Sequence, residues 1–326
     1  MPKLNMVQAI NLALDQEMAK DEDVVILGED VGVDGGVFRV TDGLHAKYGD
    51  ARVIDTPLAE SAILGTSIGM ALAGLKPVAE MQFSGFSYLM FAQLECHASR
   101  FRSRTQGQFG VPLVVRMPYG GGVRALEHHS ESREASYGHL PGVKVVIPST
   151  PSNARALMTA AIRDPDPVVF MEPKRSYRAF KEEVPEEEQV MEIGVARVVQ
   201  EGNDLTVVSW GAMTRPTMQA VELVQEKRNV GIEVIDLLTI APMDANAVAD
   251  SVKKTGKCVV VQEAPKSLSV ASEVIARIND KALMHLEAPV RRVSNYDVVT
   301  PYFGRELMYI PGVTRIQREI EETLDF

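Results

Sequence analysis

The sequence predicts an α/β protein of two tandem domains, each built on a largely parallel sheet. Short apolar runs alternate with amphipathic stretches of helical period along nearly the whole chain. The connections between them are short, which implies parallel sheets covered on both faces. The alternation is interrupted once, between Lys181 and Gln189, where five glutamates fall within Glu182–Gln189 and apolar residues thin out. At 326 residues the chain is also too long for a single core. We therefore expect a first domain over 1–180, an acidic connection over 181–192 and a second domain over 193–326.

Met6 to Ala19 carries the helical period, and Asp23 to Gly28 reads as a buried parallel strand. The Gly-rich stretch Gly32–Val37 matches neither the dinucleotide nor the Walker fingerprint and reads as a turn, leading to a helical stretch through His45. Pro57 presets a helix start that puts Glu60 in the first turn. The fourteen residues after Glu60 are all apolar, small or hydroxylated, which predicts a helix buried on every side. Gly65, Gly69 and Ala73, at spacing four, give it a flat face for a close neighbour. Strands are expected at 77–82, 113–116, 143–148 and 167–172, with one long helix over 87–104 and another from Ser152 to Arg163. The second alternation has strands at 205–209, 232–237, 258–262 and 289–293. Its helices are expected at 214–228, 244–254 and 269–280, with a last one from Val313.

A net charge of −10 argues against nucleic acid as a partner and suits a basic protein better. The cluster Arg100, Arg102 and Arg104 is too compact for a phosphate-tracking stripe and reads as a solvated or interface edge. Cys96 and Cys258 form no disulfide framework and have no zinc spacing, so both read as buried small hydrophobes. The start of the chain shows no signal or transit pattern, and no apolar run reaches about 18 residues. A soluble, cytoplasmic protein without membrane contact is the expectation.

Glu60 stands at the mouth of the most apolar helix. A first-turn acid complements the helix dipole by roughly 0.3–1 kcal/mol. A buried carboxylate also needs a polar partner. The order Glu29-Asp30, Asp55-Thr56-Pro57, Glu60, the small-residue helix, His129-Ser130, Pro141-Gly142 and Val145-Val146-Ile147-Pro148-Ser149 extends over nearly the whole chain. It resembles the beta subunit of the thiamine-diphosphate-dependent 2-oxo acid dehydrogenases, of pyruvate or branched-chain type.

The resemblance implies a cofactor shared between subunits, with the beta chain holding the aminopyrimidine ring and the alpha chain holding the diphosphate through Mg²⁺. Glu60 matches the glutamate that donates to a pyrimidine nitrogen. That donation favours the imino tautomer, whose nitrogen takes the thiazolium proton. Leu58 and Phe86 match apolar positions against the ring, with Gln82 lining the same pocket. Glu29 matches an acid in a chain of carboxylates that links two active sites. His129, in Glu127-His128-His129-Ser130, matches the active-site histidine near the substrate and the lipoyl entrance. The carbonyls of Val114, Ala161 and Asp164 and the side chain of Asp166 match a K⁺ site, with Asp166 standing where relatives more often carry Asn.

One expected pattern is missing. No Gly-Asp-Gly followed by Asn occurs, the motif that holds Mg²⁺ and diphosphate, so the chain reads as half of an active site. An alpha subunit is implied, in an α₂β₂ assembly with the small-residue helix packing across an interface. The second domain resembles the transketolase C-terminal domain through Trp210-Gly211-Ala212-Met213 and 236–244, with Leu238 replacing a usual Arg. The segment 262–269 lacks the paired glycines common in that loop. A lipoyl-bearing acyltransferase core is the further implied partner, received by Glu321, Glu322, Asp325 and the terminal carboxylate. The implied reaction is oxidative decarboxylation of a 2-oxo acid with reductive acylation of the lipoyl arm. Residues 171–178 look closer to branched-chain members. The rival readings are an acetoin-cleaving beta subunit and a non-catalytic assembly subunit.

Overall fold

In the computed structural model, which describes Met1 to Phe326, the chain forms two α/β units. The first comprises Met1–Tyr119 with Ser136–Ile193, and the second comprises Gly120–Ala135 with Gly194–Phe326. The segment 120–135 thus groups with the second unit although it precedes the acidic connection in sequence.

The first unit begins with α1 (Met6–Lys20), whose start is fixed by a capping box between Asn5 and Gln8. It continues through β1 (Val24–Gly28), β2 (Val53–Asp55), α2 (Glu60–Leu72), β3 (Lys76–Glu80), α3 (Tyr88–Cys96), β4 (Val114–Tyr119), β5 (Lys144–Val146), α4 (Pro151–Arg163) and β6 (Val168–Pro173). These six strands are parallel, in the order β5-β6-β4-β3-β1-β2. β1, β4 and β6 are buried along their whole length; β1 reads as a continuous apolar run for that reason, while β4 and β6 carry Arg116 and Glu172 inside. α1 buries Met6, Ile10, Ala13, Leu14 and Met18 and packs on α4. Pro151 at the start of α4 and the Thr150 side chain, which accepts from Asn153 N, set that helix's entry.

Four expectations are corrected here. Cys96 is exposed at the end of α3, and only Cys258 is buried. α2 buries only Glu60, Ile63, Leu64, Ser67, Ile68 and Ala71, while Ser61, Ala62, Thr66, Gly69 and Leu72 are exposed. The long helix over 87–104 is broken at His97 (φ −121°, ψ −71°) into α3, a 3₁₀ turn Ala98–Arg100 and one turn Phe101–Arg104. There the Glu95 carbonyl accepts from the side chains of Ser99 and Arg100, at 2.7 and 3.0 Å. The helix before His45 shrinks to Leu44–Tyr48, because Arg39 (φ 64°) and Gly43 (φ 80°) hold the preceding chain in left-handed turns.

The acidic stretch belongs to the first unit and is tied down. Glu188 pairs with Lys20 and with Arg163 (2.5 Å), Arg163 also pairs with Glu17, and the Glu182 carboxylate accepts from Ser152 N at 2.6 Å.

The second unit contains β7 (Arg197–Gln200), β8 (Leu205–Ser209), α5 (Thr214–Gln225), β9 (Ile232–Asp236), α6 (Ala245–Thr255), β10 (Cys258–Pro265), α7 (Val270–Ala282), β11 (Arg291–Asn295), α8 (Glu306–Tyr309) and α9 (Val313–Leu324). Its sheet runs β11-β10-β8-β9-β7, parallel except for β7. Val207, Val221, Val234, Val259, Ile316 and Ile320 form the centre of its core. The C-terminal acids are already paired within this unit, Asp325 with Arg228 and Glu322 with Arg291. No helix is long and apolar enough to cross a membrane.

Candidate active site

In the first unit the chain leaves β1 for β2 on one side and returns to β3 on the other. Open α/β sheets place ligands outside the carboxyl ends of the strands at such a reversal. Glu29 and Asp30 follow β1, Thr56 to Glu60 follow β2, and Gln82 follows β3, so sequence-distant residues meet at one edge. β1 and β3 approach closely enough that a Cβ on Gly28 would lie 2.9 Å from the Glu80 carbonyl. The Gly-rich stretch is a turn closed by Asp55, whose carboxylate accepts from Gly32 N (2.6 Å) and Val33 N (3.3 Å).

Glu60 opens α2 with only 4% of its surface exposed, and its Oε2 is buried without a hydrogen-bond partner. Thr56 Oγ1, on the same loop, is likewise buried and unpartnered. Two such atoms in one loop are a cost that a bound polar group would remove. Glu29 is buried nearby, and desolvation, followed by the Glu60 and Asp30 carboxylates, holds its carboxyl above the usual range. Asp30, at φ 58°, accepts from Gln82 Nε2 at 3.1 Å. Phe86 stacks edge-on with Phe83, which meets Phe38 in the same way, at 5.6 and 5.5 Å. Leu58 is 77% exposed and touches open solvent in this chain. An unpaired, buried carboxylate at the carboxyl edge of the sheet suits a flat, nitrogen-bearing ring.

Beneath this edge lies a network that the sequence did not disclose. Fully buried Arg116 on β4 donates to Glu80 on β3 (2.5 Å) and to both oxygens of Glu172 on β6 (2.7 and 3.0 Å), and Tyr177 donates to Glu172 at 2.5 Å. Strand register places Glu80 opposite Arg116, a signal visible only once the pairing is known. Met171, Glu172, Lys174 and Tyr177 are buried, so the segment 171–178 serves this network and the strand core.

His129 belongs to the second unit, on a 3₁₀ turn Glu127–His129, and is half-buried. Its backbone N–H donates to the Leu126 carbonyl at 3.0 Å, and Gly120 N closes the loop on the Glu131 carbonyl at 2.9 Å.

The residues matched to a K⁺ site, Val114, Ala161, Asp164 and Asp166, lie in the first unit. Asp166 Oδ1 accepts from Arg102 (2.6 Å), Asp164 Oδ2 accepts from Lys144 (2.5 Å), and the Ala161 carbonyl accepts from Asp164 N.

The chain matches the transketolase pyrimidine-binding domain over residues 2–179 and the transketolase C-terminal domain over residues 194–316. A pyruvate dehydrogenase E1 component subunit beta from Acholeplasma laidlawii is 52% identical over 319 residues, covering 98% of this chain and 97% of the relative. The corresponding subunit from Bacillus subtilis (strain 168) is 45% identical over 326 residues, covering all of both chains. A solved split-gene transketolase, described as an inactive beta4 tetramer, superposes with a TM-score of 0.81 at 20% identity over 99% of each chain, which shows the fold. The two domains in tandem and the end-to-end identity place this chain in the family of pyruvate dehydrogenase E1 component beta subunits.

Proposed function

We propose that this chain holds the pyrimidine end of thiamine diphosphate and, with an alpha subunit in an α₂β₂ assembly, carries out the oxidative decarboxylation of pyruvate. The observation that carries this reading is the buried, unpartnered Oε2 of Glu60 at the carboxyl edge of the sheet. When bound, the cofactor supplies the electron sink that decarboxylation requires.

Glu60 hydrogen-bonds a ring nitrogen and sets the ring's protonation. Phe86 and Leu58 provide apolar contact, Leu58 gaining cover when the ring and partner are present. Glu29 and Gln82 complete the polar side of the pocket, Gln82 through Asp30. His129 orients the 2-oxo acid carboxylate and handles protons as the acyl group leaves for a lipoyl arm on an acyltransferase core. Mg²⁺ and the diphosphate fall to the alpha subunit, since the chain lacks Gly-Asp-Gly…Asn. Pyruvate is preferred to a branched-chain 2-oxo acid because the relatives named above are pyruvate enzymes and the segment 171–178 is buried in the strand core. The assembly is read as cytoplasmic, with 1–180 and 193–326 as its two domains.

The test is calorimetric titration of thiamine diphosphate with Mg²⁺ into this chain alone and into its co-assembly with the alpha subunit. Binding is expected only in the co-assembly, and tight binding to the chain alone would overturn the half-site reading. Glu60→Gln in the co-assembly should lower pyruvate turnover by about 10²–10⁴-fold. Unchanged turnover would remove Glu60 from the chemistry and favour a non-catalytic subunit.

A further inference from the structure

The segment 120–135 is held by side chains that neither the fold nor the proposed chemistry accounts for. Glu306, the first residue of α8, is fully buried, and its carboxylate is met by main chain: Oε1 accepts from Gly122 N at 2.9 Å and Oε2 from Arg124 N at 2.7 Å. Glu263, near the end of β10, accepts from Gly121 N at 2.5 Å. Gly120, Gly122 and Arg124 have φ of 79°, 89° and 58°, so the amides between them turn toward one side and form a concave anion nest. In most nests the anion is a ligand, whereas here the chain supplies its own carboxylates.

The fit is tight from both sides. A Cβ on Gly120 would lie 2.7 Å from Glu263 Oε1, and one on Gly121 would lie 2.8 Å from Glu306 Oε1. Further along the segment, Glu127 hydrogen-bonds Tyr302, and Glu134 accepts from Trp210 Nε1 at 3.3 Å. The His128–His129 turn thus hangs between two anchored ends, the N-terminal one held by three amide bonds to two buried carboxylates.

We propose that Glu306, with Glu263 beside it, is a positioning residue: by filling the nest at 121–124 it fixes the turn that presents His129. The functional consequence rests on the role given to His129 above. A carboxylate is required because only it can accept from both amides at once. A glutamine would keep one acceptor and turn an N–H against the other donor.

The test uses the alpha–beta assembly. In Glu306→Gln, hydrogen exchange of the amides at 121–131 should accelerate about tenfold or more as the local opening energy falls. Pyruvate turnover should fall about 10- to 100-fold with a raised KM for pyruvate, as expected when a group near the reacting centre loses its placement. Affinity for thiamine diphosphate should stay as in the wild type. Gly121→Ala, which pushes on the same contact from the opposite side, should reproduce this pattern, and it serves if the glutamine variant fails to assemble. Unchanged exchange at 121–131 in both variants, or faster exchange with turnover and KM intact, would overturn the proposal. His129→Ala separates the two readings. It should lose turnover without faster exchange, and if it keeps full turnover, His129 loses its role while the exchange result still decides what Glu306 holds.

Discussion

Replacing Arg116 with leucine tests the buried network beneath the sheet edge. The guanidinium lies between Glu80 (2.5 Å) and Glu172 (2.7 and 3.0 Å), and all three side chains are at most 4% exposed. Leucine fills part of the volume but leaves two carboxylates in a dry site. Breaking a buried pair by removing one partner costs about 3–5 kcal/mol, a large share of the roughly 5–15 kcal/mol that holds a domain folded. For a unit of this size each kcal/mol moves Tm by roughly 2–4 °C, so the variant should melt roughly 6–20 °C lower at neutral pH. The deficit must depend on pH. Burial already holds the Glu80 carboxyl above its ordinary value, with Arg116 pulling it down, so losing Arg116 raises it further. An acid whose folded-state pKa is raised loses stability as pH rises from its unfolded value through the folded one. The Tm difference should therefore be smaller near about pH 4.5, where a protonated Glu80 carboxyl needs no cation, than at about pH 8. Thermal unfolding followed by circular dichroism at the two pH values reads this directly. An equal Tm deficit at both would show that lost packing, not uncompensated charge, is what the arginine prevents.

Burial pushes the Glu134 carboxyl up to about 7, and it sits on the indole of the protein's single tryptophan, so Trp210 emission should titrate with a midpoint near 7 and Glu134→Gln should flatten the curve. By the same sign rule Glu134 stabilises the fold below its unfolded value and that contribution fades between about pH 4.5 and 7, worth ~3 kcal/mol across the window. Arg163, with Lys20, holds the Glu188 carboxyl at about 2, so the pairing of the acidic connection persists through mild acid and is lost only near that value; Glu188→Gln should speed protease cleavage within 181–192 at neutral pH, and unchanged cleavage would show the pairs idle. A side chain on Gly69 would meet nothing within 4 Å in this chain, so Gly69→Gln should leave the chain's own melting temperature unchanged while size-exclusion chromatography shows the alpha–beta assembly lost.

Much of the fold was legible because parallel strands buried on both faces leave continuous apolar runs. Val24–Gly28, Leu205–Ser209 and Ile232–Asp236 fall within a residue of where the runs predict them. What escaped was set by long-range pairing. The three-residue β2, with its last residue exposed, has no apolar signature and exists because Ile26 and Leu27 pair with Val53 and Ile54. β7 pairs antiparallel at an edge, with its first two residues exposed. The break at His97 depended on two side chains capturing one carbonyl, which helical periodicity does not register. Among candidate site residues, Glu60 was legible from its place at the start of an apolar helix. Arg116, Glu263 and Glu306 were not, since each finds its partner 36 to 184 residues away.

Charge compensation in the first unit is uneven, and the unevenness points to where a ligand belongs. Of its buried acids, Glu17 has Arg163, and Glu80 and Glu172 share Arg116. Glu29 and Glu60 are as buried as these and have no ion pair, while standing close enough that Glu60 raises the Glu29 carboxyl. Two like-charged groups placed together without a cation oppose folding, because each must be taken out of water against the other's field. A sequence selected for stability alone would replace one of them or place an arginine beside them, as it does one layer below at Arg116. The pair persists at the carboxyl edge of the sheet, with Thr56 Oγ1 and Glu60 Oε2 left unpartnered. The cost is thus confined to the place where topology puts a ligand, and a donor-bearing heterocycle held there would relieve it without any change in the fold.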